Sequence, residues 1–158
     1  MKRAILITAA LLLTACGFEL RDSADLPATM QKTHVDAPGS AGALARELDR
    51  LLRGSQVEIT GPAQATAVLK IESEQMRRQV QSVGSTARAR EFALEYSVSF
   101  RLLGPAGEEL RPLQSLQLRR DFTFDENQVL GTTREEELIA EELRRSMAGQ
   151  ILRALEVR

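Results

Sequence analysis

The residues able to do chemistry are few. His34 is the only histidine and Cys16 the only cysteine in 158 residues, so no histidine or cysteine pair exists to anchor a zinc ion. His34 therefore reads as a strand or surface histidine. Carboxylates cluster at Glu108-Glu109, at Glu135 to Glu137 and at Glu141-Glu142, but carboxylates adjacent in a helix point about 100° apart and do not converge on one substrate atom. Asp125-Glu126-Asn127 offers oxygen ligands without the glycine and distal glutamate of a calcium loop, and reads as a turn. No nucleophile elbow, phosphate-cradling glycine loop or zinc-protease signature is present. The sequence thus predicts no enzyme, no metal site and no cofactor. What remains is arginine. Arg77 and Arg78 with Arg88 and Arg90 form the obvious cluster, and a guanidinium fork can bond phosphate bidentately.

Cys16 points to a different chemistry. Lys2 and Arg3 precede an apolar run from Ala4 to Leu13, broken only by Thr8, and small residues lead into the cysteine, the layout of an export signal. The run is about ten residues, half of what a membrane-spanning helix needs. Leu13-Thr14-Ala15-Cys16 resembles the lipobox of bacterial lipoproteins. That resemblance implies cleavage before Cys16, a diacylglyceryl thioether on its sulfur and an acylated amine, with each buried methylene contributing about 0.8 kcal/mol to anchoring. The expected layout is a signal over 1–15, a lipidated N-terminus and tether over 16–29, and one domain over 30–158. Losing Lys2 and Arg3, but no acidic residue, takes the formal charge from −1 to −3, which argues against a nucleic-acid partner.

The elements that must position the arginines are legible from period. Met30 to Val35 suits a first strand. Leu44, Leu48, Leu51 and Leu52 share one helix face, with Ser40 able to cap its start and Gly54 its end. Gln56 to Thr60 and Ala67 to Glu72 are further strand candidates, while residues 73–83 fit strand and helix equally. Phe92, Leu94, Tyr96, Val98, Phe100 and Leu102 alternate with polar residues, the pattern of a half-buried strand. Gly104, Pro105 and Gly107 make a turn, after which Leu116, Leu118, Phe122 and Phe124 resume alternation, giving an antiparallel hairpin. Arg120 falls on the apolar side of that second strand, where its charge needs a partner or an interface. A capping box at Thr132 or Thr133 with Glu135 or Glu136 opens a final helix, carried by Ile139, Leu143, Met147, Ile151 and Leu155. The predicted fold is α+β: two helices packed on one face of a roughly four-stranded mixed, mostly antiparallel sheet.

Cys16-Gly17-Phe18-Glu19-Leu20-Arg21, then Leu26-Pro27, and later Arg120-Asp121-Phe122-Thr123-Phe124-Asp125 ahead of a Glu-rich helix, together resemble the LptE family of LPS-assembly lipoproteins. The resemblance covers nearly all of the chain after the signal. It implies a mixed sheet carrying two helices, as the periodicity does. It further implies an outer-membrane lipoprotein, on the periplasmic side, that sits within the lumen of the large barrel LptD in a 1:1 complex and assists delivery of lipopolysaccharide. On that reading Arg88 and Arg90, with Arg134 and with Arg77 and Arg78, are expected to contact lipopolysaccharide phosphate or core sugars. The alternative for this cluster is a basic edge that blocks strand pairing. Arg120, Phe122 and Phe124 are the expected barrel contacts. The competing function is a lipoprotein facing the periplasm that binds phospholipid and has no barrel partner.

Overall fold

The alternation from Phe92 to Leu102 builds the middle strand of a long antiparallel trio. The computed structural model describes residues 24–83, 89–123 and 129–157. Its strands are β1 (Lys32–Asp36), β2 (Glu58–Ile59), β3 (Ala67–Val83), β4 (Ala89–Leu103) and β5 (Glu109–Thr123), and its α-helices are α1 (Gly42–Gly54) and α2 (Val129–Leu155). The sheet order is β2-β1-β3-β4-β5. β1 is parallel to both β2 and β3, whereas β4 is antiparallel to both β3 and β5. The sheet has five strands where roughly four are expected, and β2, two residues within the Gln56 to Thr60 candidate, pairs Glu58 with Lys32 and Ile59 with Thr33.

Both helices pack on one face, over the apolar row of β4. Phe92, Leu94, Tyr96, Val98, Phe100 and Leu102 are each no more than 6% exposed. Leu44, Leu48 and Leu52 meet that row from α1, and Leu143, Met147, Ile151 and Leu155 from α2, the four-residue recurrence that predicts the last helix. Residues 73–83 are strand, the far half of β3. A register shift between Ile71 and Ser73 sets Glu72 into the ladder as an extra residue, where it pairs with Lys70 and Arg101. β5 is an edge strand, and Pro112 lies within it, where a missing N–H removes no ladder bond. Among the described residues no helix is long and apolar enough to cross a membrane.

Helix ends depart from the sequence expectation. A short 3₁₀ turn over Gly39–Ala41 precedes α1, whose N-cap position falls on Ala41 and not on Ser40. At the other end Gly54 is still helical, and the left-handed residue is Gln56 at φ 63°. The Val57 N–H donates to Leu52 O and the Gln56 N–H to Arg53 O, each at 3.0 Å. This is a Schellman closure with glutamine where glycine is favoured. α2 begins at Val129, which puts Thr132 and Thr133 inside the helix and not at its N-cap position.

Candidate functional site

Antiparallel register sorts the arginines by face. Arg78, Leu94 and Arg120 form one cross-strand row through β3, β4 and β5, while Arg77, Glu95 and Arg119 form the next. Successive residues of a strand point to opposite faces, so Arg77 and Arg78 are not one patch. Arg78 and Arg120 lie on the helix-covered side. Arg77 lies on the bare side, among polar rows that include Ser73-Ser99-Ser115 and Gln75-Ser97-Gln117.

On the covered side the two arginines clasp α2 from both flanks. Arg78 Nη1 donates to Glu136 Oε2 at 3.1 Å, and its guanidinium carbon sits 3.9 Å from the centre of the Phe92 ring. Phe92 stacks on Phe122, ring centres 5.8 Å apart and 25° from parallel. Arg120 donates to Glu142, which answers the need for a partner posed by its position among apolar residues. Glu136 and Glu142, which sequence reasoning missed, are six residues apart on α2, so their Cβ directions differ by about 240° around the axis. A groove of about 470 Å³ runs beneath the Arg78–Glu136 pair, floored by Met76, Leu94 and Ala140.

The other candidates are spread more widely. Arg134 is exposed on the early part of α2, the same end of the molecule as Arg78. Arg90 belongs to β4, and Arg88, Phe124 and Cys16 lie outside the described residues. Phe122 is buried, its ring engaged within the domain. His34 Nδ1 lies 3.1 Å from the Thr60 carbonyl oxygen, to which a protonated nitrogen donates.

One buried polar pair supports this region from below. Tyr96 is fully buried and donates its hydroxyl to Glu74 Oε1 at 2.6 Å. Burial, then the Glu74 hydrogen bond, raises the Tyr96 hydroxyl far above the ordinary tyrosine range. At the opposite end of the sheet residues 24 and 25 meet residues 55 and 157. The Val157 N–H donates to Asp25 O at 3.0 Å, and the Ala24 N–H to Ser55 Oγ at 3.2 Å.

This combination of a mixed five-stranded sheet, two helices on one face and a bare polar back is the fold of a class of small bacterial lipoproteins. The chain superposes on lipoprotein B of Nitrosomonas europaea with a TM-score of 0.72 at 28% identity, covering 87% of this chain and 88% of that one. Rare lipoprotein B of Shewanella oneidensis matches with a TM-score of 0.68 at 28% identity, covering 78% and 92%. The model of the LptE lipopolysaccharide-assembly family matches residues 28–155. The LPS-assembly lipoproteins LptE of Pectobacterium atrosepticum and Photorhabdus laumondii are 30% and 31% identical to this chain over 96% of its length, covering 80% and 83% of those relatives. The chain belongs to the LptE family of lipopolysaccharide-assembly lipoproteins.

Proposed function

We propose that this lipoprotein is a non-enzymatic plug that stabilises an LptD-type outer-membrane barrel from within and contacts lipopolysaccharide during its delivery to the outer leaflet. The observation that carries the reading is the family match across residues 28–155, which spans the whole sheet and both helices. The bare sheet face supports it. A body seated in a water-filled barrel must present polar groups to a polar wall, and rows of serine, glutamine, arginine and glutamate do so. In this reading residues 1–15 are the signal, lipid on Cys16 holds the protein to the outer membrane, 16–29 are the tether and 30–158 the domain. Arg88, Arg90 and Arg134, with Arg78 on the helix-covered side and Arg77 on the bare side, supply charge for lipopolysaccharide phosphate. Arg120 and Phe124 serve at the barrel, and Phe122 supports them through its stack on Phe92.

The first test is recovery of the tagged lipoprotein from outer membranes in mild detergent, with mass spectrometry of what elutes. A stoichiometric large barrel is expected. Recovery of the lipoprotein alone, or with phospholipid and no barrel, would overturn the plug and favour the phospholipid-binding reading. For the lipid contact, Arg88→Ala with Arg90→Ala is expected to weaken lipopolysaccharide binding by the purified mature protein, and unchanged binding would remove those two residues from the contact.

A further inference from the structure

Between α1 and α2 a groove of about 360 Å³ opens to water. Arg46 reaches it from α1, and Arg144 and Arg145 reach it from α2, beside Ala43, Glu47 and Glu141. Arg46 and Arg145 are exposed and Arg144 is partly buried. Among the described residues none of these three guanidinium groups makes a hydrogen bond or an ion pair, whereas Arg50, Arg101, Arg119 and Arg120 each hold a carboxylate. The carboxylates at hand do not neutralise the three. Arg50 donates to both oxygens of Glu47, at 2.6 and 3.2 Å. That hydrogen bonding, helped by the charges of Arg50 and Arg145, holds Glu47 below the ordinary carboxylate range. Glu141 stands three and four residues before Arg144 and Arg145, the spacing that pairs charges on a helix, yet among the described residues it pairs with neither. From Leu143 to Leu155 α2 carries Arg144, Arg145 and Arg153 and no acidic residue, so basic charge gathers on this flank of a chain whose formal charge is −1.

We propose that the groove between α1 and α2 binds the phosphate of a phosphate monoester, with Arg46 on one side and Arg144 and Arg145 on the other. A monoester carries up to two negative charges and three strong acceptor oxygens, and each guanidinium fork can bond two of those oxygens at once. The backbone that carries the arginines is already fixed. Leu44 and Leu48 flank Arg46 on α1, Leu143 and Met147 flank Arg144 and Arg145 on α2, and all four are buried in the shared core. Binding therefore has only long side chains to order, which limits its entropic cost. The groove uses none of the arginines assigned above to lipopolysaccharide, so the site holds or fails independently of that contact.

The test titrates the purified mature protein, in mild detergent, with inorganic phosphate and separately with dihexanoyl phosphatidic acid, a short-chain lipid whose headgroup is a phosphate monoester. Arg46→Gln/Arg145→Gln removes one guanidinium from each side of the groove. Arg53→Gln removes the same charge from an exposed site on α1 that does not line it, and so separates a built site from general attraction. Saturable binding by the wild type is expected, weakened at least about ten-fold in the double variant and by less than about two-fold in Arg53→Gln at physiological salt. Because both altered arginines are exposed, the double variant should keep its urea midpoint; if it does not fold, the two single changes are compared with Arg53→Gln instead. Equal affinity for the two probes would assign a free phosphate ester. Tighter binding of the lipid, lost in the same variant, would assign a phosphate-bearing lipid headgroup; either result supports the site. Absence of saturable binding of both probes, or equal loss in the groove and Arg53 variants, overturns it.

Discussion

Single residues of this domain carry costs that point mutants can read. Gln56 holds φ 63° at the position where a Schellman closure favours glycine, and a side chain in that region is strained against its own carbonyl. Gln56→Gly is expected to stabilise the protein by about 0.5–1 kcal/mol, after the entropy glycine adds to the unfolded chain, read as a higher urea midpoint. Tyr96→Phe removes the buried donor to Glu74 Oε1, on a carboxylate whose Oε2 has no hydrogen-bond partner among the described residues. A cost of about 1–3 kcal/mol is expected. The same tyrosine sets a pH dependence. Its folded value lies above the unfolded one near 10, so its contribution is complete below about pH 10 and is lost as pH rises beyond it. Wild-type stability should fall in that alkaline window, and the Phe variant should lose the corresponding part of the slope. Arg120 was flagged by its place in an alternating pattern, and its partner Glu142 is one turn beyond the Glu-rich start of the helix. The pairing itself was not legible, because nothing local links residues 22 positions apart.

At the scale of elements, period worked wherever one side of an element was buried and the other wet. β4 and the later turns of α2 have that contrast, and their apolar rows read directly. The far half of β3 lacks it. Its positions on the helix side are Glu74, Met76, Arg78 and Val80, of which none is fully buried and Val80 is 55% exposed, so no buried apolar row marks one face. The cap readings failed for a related reason. A 3₁₀ turn before α1 moves its start past Ser40, and α2 continues upstream of Thr132 to Val129, so good capping residues sit where no cap is needed. The difference along α2 is measurable. Ile151 is fully buried, and Ile151→Ala is expected to cost about 2–5 kcal/mol. Glu136→Gln, removing one exposed pair, should change stability by less than about 1 kcal/mol. Chemical denaturation of the two variants separates them, and equal losses would show that the early turns are packed as firmly as the late ones.

For the whole molecule, the fold class was legible because two helical periods and several strand signals leave few economical arrangements, and roughly four expected strands differ little from the observed five. Function was legible through resemblance, since the chain offers little chemistry of its own. If the arginine-rich end meets lipopolysaccharide, the attraction is long-ranged and screened. Raising ionic strength from about 0.01 to 0.15 M shortens the Debye length from about 30 to 8 Å. Binding should weaken several-fold over that range while the folded state, built on an apolar core, changes little; salt-independent binding would point to acyl contact alone. One more consequence follows from α2 coming after the whole sheet in chain order. Synthesis delivers β3, β4 and β5 first, so a nascent or truncated chain ending before Val129 presents the Phe92-to-Leu102 row without its main cover and β5 as an open edge. Long strands in that state invite intermolecular pairing. Until α2 is made, that apolar row and that edge stay open together.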